Sequence, residues 1–153
     1  MAFLVVRVRG GIHSGHEIQE TLRFLHLTRA NHATVVAEAA QVRGMLHKVQ
    51  GYITWGEAEP ETLELLLAQR GEAVNGAALS DPKTLEELVR LPNLSEVTRS
   101  VTEGGLTRVA GIKPLFRLKA PKGGWRSTKK PFSLGGALGY RGRAVNDLVR
   151  RMV

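Results

Sequence analysis

At 153 residues with 42% apolar side chains, the chain is long enough for one packed core and too short for two full-sized domains, and wholesale disorder is excluded. Having no cysteine, it has no disulfide, thiolate metal site or cysteine nucleophile, and a reducing compartment suits it. The net charge of +8 lies at one end: residues 1–112 hold 11 Lys and Arg against 13 Asp and Glu, whereas residues 113–153 hold 11 against 1.

Phe3 to Arg9 is β-branched and ends in alternation, which predicts a strand with Val6 and Val8 on one face and Arg7 and Arg9 on the other. Gly10-Gly11 breaks it. Ser14, three residues before Glu17, has the spacing of a capping box, and Ile18, Leu22 and Leu25, with Phe24 alongside, continue as a helical stripe to about Leu27. Asn31 to Ala37 reads as a second strand after a turn at Thr28 to Ala30. From about Ala40 to Val49, Val42, Met45, Leu46 and Val49 recur with helical spacing. Gly44 sits inside that helix at a cost of about 1 kcal/mol relative to Ala, so a close neighbour is expected there, either the other helix or the backbone of a bound partner. Gln50 to Trp55 alternates as a third strand. Strands alternating with helices ordinarily pair in parallel, but three short strands and two helices also suit a two-layer α+β sandwich of the ferredoxin-like kind. The latter is the expectation for residues 1–56, with both helices on one face and Arg7 and Arg9 on the open one.

Residues 57–112 have a different character. Glu59-Pro60 opens a helix with Leu63, Leu66 and Leu67 on one stripe and Gly71 as its stop, Asp81-Pro82 opens another with Leu85, Leu88 and Val89, and a weaker one covers Leu94 to Val101. Their many carboxylates suggest a small acidic extension, a spacer or a protein-contact surface. In residues 113–153, Lys113 to Leu118 predicts a fourth strand. Residues 120–136 have no periodicity and predict an extended basic arm that orders on its ligand. Val145, Leu148, Val149 and Met152 mark a closing helix docked on the body.

The catalytic inventory is poor. No pair of the five histidines has metal-site spacing with a carboxylate, no serine lies in a nucleophile elbow, and the glycine-rich stretches are not phosphate loops, so no enzyme, metal or cofactor is expected. No signal peptide or bilayer-length run is evident, and a soluble protein is expected. A neutral body with a basic end fits a polyanion, because each phosphate neutralised releases condensed counterions. A merely solvated tail is the plain alternative, and a membrane surface is disfavoured because the tail lacks a broad amphipathic helix. From Lys119 to Arg143, Gly allows close backbone approach, Lys and Arg suit phosphates, and Trp125, Phe132 and Tyr140 offer stacking faces, or in the plain reading pin the arm to the body. Arg29 and Asn31, in the turn before the second strand, either reach RNA or satisfy loop backbone.

Several stretches, in order along nearly the whole chain, resemble the archaeal and eukaryotic long form of the L-thirty family of large-subunit ribosomal proteins. They are Leu27-Thr-Arg-Ala-Asn-His32, Val42-Arg-Gly-Met-Leu-His-Lys-Val49 leading into Tyr52-Ile-Thr-Trp-Gly56, Lys113-Pro-Leu-Phe-Arg-Leu118, Pro121-Lys-Gly-Gly124, Lys129-Lys-Pro-Phe132 and Gly135-Gly-Ala-Leu-Gly-Tyr-Arg-Gly142. One departure is Glu38-Ala-Ala-Gln41, where the family often carries proline. The resemblance implies a ferredoxin-like core with a long C-terminal extension, a structural role on large-subunit rRNA with 5S rRNA nearby, neighbouring ribosomal proteins as partners, a cytoplasmic ribosome and an archaeal source. It implies RNA contacts at Arg29, Asn31, Arg43, Lys48, Arg117, Lys122, Arg126, Lys129, Lys130, Arg141 and Arg143. Arg7, Arg9 and Lys119 join them from the residues alone. The rivals are a stand-alone RNA chaperone or regulator, and a small enzyme on the same fold, which needs a pocket of convergent polar groups.

Overall fold

The computed structural model describes residues 2–10, 15–79, 81, 83, 85–91, 93–125 and 127–153, and of Leu88 the backbone only. The first three strands are β1 (Ala2–Arg7), β2 (His32–Ala37) and β3 (Ile53–Glu57), separated by helices α1 (His16–Phe24) and α2 (Ala40–Lys48). This is the expected β-α-β-α-β order, with β1 ending two residues earlier than expected and β3 starting three residues later. β1 lies between β2 and β3, antiparallel to both, with Leu4 opposite Val35 and Val5 opposite Trp55. Two-residue strands extend the sheet at each edge: β4 (Phe116–Arg117) pairs antiparallel with β2, and β5 (Gly139–Tyr140) pairs parallel with β3. The expected fourth strand over 113–118 is thus reduced to two residues, and the fifth lies where no strand was expected.

One face of the sheet holds Phe3, Val5, Ile53 and Trp55 against Leu22 and Leu25 of α1 and its exit and Leu46 and Val49 of α2 and its end. Both helices therefore share a face, as expected. The opposite face is not open. Leu4, Val6, Ala33 and Val35 pack there against α3 (Pro60–Arg70), α4 (Leu94–Gly104) and α5 (Ala144–Arg150), through Leu63, Leu66, Leu67, Val97, Val101, Val145, Leu148 and Val149. This corrects the placing of Arg7 and Arg9 on a bare face. All six residues of β1 are buried, and the cause was present in the unbroken apolar run Phe3 to Val6, which suits a strand covered on both sides. The 57–112 segment is accordingly a layer of the core and not a spacer.

Local chemistry sets the helix ends. α1 starts at His16 behind Gly15, and Ser14, the expected capping residue, lies outside the described residues. It stops at Phe24 because His26 is left-handed (φ 61°), and Phe24 is 78% exposed, off the buried stripe. α2 begins at Ala40 with no side-chain cap. α3 carries its Pro in the first turn, where a missing N–H costs nothing. The described part of the Asp81-Pro82 helix is a π-helical turn, Leu85–Val89; Pro82 lies outside the described residues. α4 is capped by Asn93, whose side chain accepts from Glu96 N at 3.0 Å.

Candidate nucleic-acid interface

The first cationic cluster arises from the pairing of β2 with β4. His32 lies opposite Arg117, so a residue from the basic end stands beside the turn that carries Arg29 and Asn31. Asn31 closes that turn in the left-handed region (φ 68°), which Asn tolerates better than most residues. Its N–H donates to Arg7 O at 2.8 Å and its carbonyl accepts from Leu118 N at 3.2 Å. Its side-chain oxygen is buried with no hydrogen-bond partner among the described residues. The cluster is strongly positive: burial, then Arg117, Arg29 and Arg7, hold the His32 imidazole below its ordinary value. His32 was not among the expected site residues, since only its distant cross-strand partner reveals its surroundings.

Arg7 does not present its charge outward. It is buried, its guanidinium donates to Leu27 O at 2.7 Å and Arg9 O at 2.8 Å, and burial lowers its pKa. It fixes the exit of α1, and its expected place on an open RNA-facing surface is corrected. Arg9 is exposed, 5.5 Å from the centre of the Tyr52 ring. On α2, Arg43 is exposed but paired with Glu38, and Lys48 lies 3.7 Å from Glu17. Each of these cations already faces a carboxylate, so each attracts a phosphate less than a free one does.

The second cluster is the basic end, folded back along α5. Lys119 N donates to Met152 O at 3.0 Å and Lys122 N to Arg151 O at 3.0 Å, which lays the start of the arm against the last turn of the chain. Trp125 packs into the body against Val8, Ala137 and Leu138, in keeping with the pinning role. Further on, Phe132 N donates to Leu138 O at 2.7 Å and Leu138 N to Lys130 O at 3.2 Å, closing a loop that carries Lys129 and Lys130 on its exposed side. Arg117, Lys119, Lys122, Lys129, Lys130 and Arg143 are all exposed. Among the described residues none of them has a carboxylate within ion-pair distance. Arg126 lies outside the described residues. Arg141 is half-buried, donating to Thr54 Oγ1 and Ala137 O, both at 2.8 Å, and burial followed by the neighbouring Arg151 pushes its pKa down to about 10. Arg151 was missed; its place on the polar side of the Val145, Leu148, Val149 and Met152 stripe was the available signal.

Phe132 and Tyr140, offered as stacking faces, are 38% and 52% exposed. Tyr140 also donates its hydroxyl to Glu57, and that bond, then burial and the carboxylate's charge, raise its pKa. Among the described residues no three His, Asp or Glu side chains gather to hold a metal, and no helix is long and apolar enough to cross a membrane.

The sequence model of the family described as Ribosomal protein L30p/L7e matches residues 3–53. The chain is 39% identical over 150 residues to the large ribosomal subunit protein uL30 of Methanopyrus kandleri, covering 95% of this chain and all of that one. It is 41% identical to the proteins of the same name from Methanococcus vannielii, with both chains fully covered, and Korarchaeum cryptofilum, over 97% of this chain and 93% of that one.

Proposed function

The chain belongs to the ribosomal protein L30p/L7e family, and on that premise we propose that it is a structural constituent of the large subunit of the cytoplasmic ribosome, holding large-subunit rRNA by its basic end and the Arg29–Arg117 cluster. Its relatives carry the name of a large-subunit protein over their whole length. The single observation that carries the placement of the interface is the row of exposed cations with no carboxylate partner among the described residues, running from Arg29 and Arg117 to Lys122, Lys129 and Lys130. Such a surface gives affinity and register on a phosphate backbone, and it reads shape more than base sequence. The role is one of scaffolding and not of catalysis.

Three finer readings accompany this one. The β-α-β-α-β core is taken as ferredoxin-like, supported by an antiparallel sheet with α1 and α2 on one face. Residues 1–56, 57–112 and 113–153 are taken as core, helical layer and basic end. Neighbouring ribosomal proteins are taken to meet the acidic helices, as their carboxylates suggest, and 5S rRNA is taken to lie close by, as the family resemblance implies. The test is sedimentation of the full chain with large subunits through a high-salt sucrose gradient. Co-sedimentation is expected; release to the top of the gradient at salt that leaves other large-subunit proteins bound favours a stand-alone RNA-binding regulator.

A further inference from the structure

A pocket of about 340 Å³ opens where the arm meets α5, lined by Phe132, Arg141, Asp147 and Arg151 with Gly124 and Gly136 in its walls. Two of the five N–H groups of Arg141 are satisfied, by Thr54 Oγ1 and Ala137 O. The others have no acceptor among the described residues. The same guanidinium lies 4.8 Å from the centre of the Phe132 ring, and Phe132 is 38% exposed. Arg151 reaches only the Lys122 carbonyl, at 3.5 Å. Asp147 also lines the pocket, but its carboxylate is drawn to Arg150 at 3.3 Å.

Two guanidinium groups thus line one concave space with no carboxylate paired to either among the described residues, next to a partly exposed aromatic ring. Like charges brought together at a partly buried site cost stability unless an anion completes them. Burial first, and the neighbouring Arg151 next, lower the pKa of Arg141, in keeping with that arrangement. We propose that the pocket seats a single unstacked nucleotide of the bound RNA, its base against the exposed part of the Phe132 ring and its phosphate between Arg141 and Arg151. This rests on the rRNA reading above and adds to it: a duplex presents its phosphates along a surface and cannot enter a concavity, whereas a looped-out nucleotide can. The cation–π contact with Arg141 holds the Phe132 ring in place for the base.

The test uses the full chain and its Phe132→Ala, Phe132→Leu and Arg151→Gln variants. Each is titrated over a salt series with a large-subunit rRNA fragment that contains unpaired loops, and with a fully paired duplex of equal length. Phe132→Ala is expected to weaken fragment binding about tenfold without changing the salt slope, and Phe132→Leu, which retains apolar bulk without the aromatic face, to weaken it nearly as much. Arg151→Gln is expected to lower the slope on the fragment by about 1. Duplex binding should be unaltered by either Phe132 change. Fragment binding equal to that of the unaltered chain in all three variants, or an equal loss on fragment and duplex, overturns the pocket and leaves the rRNA reading standing. A failure of the unaltered chain itself to prefer the fragment over the duplex overturns the rRNA reading instead, and the pocket with it.

Discussion

His32 shows how one residue reports on a surface built from both ends of the chain. Its imidazole has a pKa below the ordinary 6.5, first through burial and then through Arg117, Arg29 and Arg7. The sign follows directly: above 6.5 the ring is neutral in folded and unfolded chains and contributes nothing, and as pH falls below 6.5 the unfolded chain takes up a proton more readily, so stability is lost. A phosphate seated on Arg29 and Arg117 has the opposite effect, since it favours the imidazolium. Affinity for an rRNA fragment should therefore rise as pH is lowered from 7.5 toward 5.5, values chosen as about one unit either side of the ordinary pKa, and His32→Gln should flatten the rise. A pH-independent affinity in the unaltered chain would take phosphate away from this cluster. Gly56 is a second informative position, because a Cβ there would fall on the Gly142 carbonyl, where β3 meets the entry to α5. Gly56→Ala should cost about 3 kcal/mol, read as a lowered Tm, as expected for overpacking against backbone that cannot yield.

Among the elements, α2 departs from expectation in a useful way. Gly44 was expected to mark a close crossing, yet among the described residues a Cβ there would meet nothing within 4 Å beyond its own chain neighbours and helix backbone, and the residue is exposed. The helix α1 is therefore not the neighbour that needs a glycine. Gly44→Ala should stabilise the free protein by about 1 kcal/mol, measurable as a raised Tm, and if RNA lies against this face the same variant should bind more weakly. A lowered Tm would mean that the helix is held in a different way. What was legible in the sequence at this scale was local. Ile18, Leu22 and Leu25, and Val42, Met45, Leu46 and Val49, announce helices through their own spacing, and the order of the first five elements follows. What was illegible was non-local. β4 and β5 have two residues each, and they exist as strands only because Phe116 meets Ala33 and Gly139 meets Thr54, each from more than 80 residues away. Local patterning cannot announce such a pairing. The same limit applies to the site: the charge asymmetry and the resemblance pointed to Arg29, Arg117 and the basic end, while the approach of His32 to Arg117 and of Arg151 to Arg141 needed the fold.

Across the molecule, the basic end is not an appendage that can be removed. Val145, Leu148, Val149 and Met152 are fully or almost fully buried in the core that also holds Leu4, Leu63 and Val97. Losing four such side chains forfeits about 6 to 12 kcal/mol of burial, comparable with the whole stability of a small domain. Residues 1–119 alone should accordingly show no cooperative melting transition, and a sharp melt would mean that α5 contributes little to the core. Charge must be removed without removing the helix. Lys122, Lys129 and Lys130 allow this, since all three are exposed and unpaired with any carboxylate among the described residues. The decisive measurement is a salt titration of the full chain and of its Lys122→Gln, Lys129→Gln, Lys130→Gln triple variant against a large-subunit rRNA fragment. If the basic end is the principal RNA contact, log K falls linearly with log salt and the triple variant loses about 3 from the slope, one for each phosphate no longer neutralised; equal slopes for the two proteins would place the interface elsewhere and contradict the assignment.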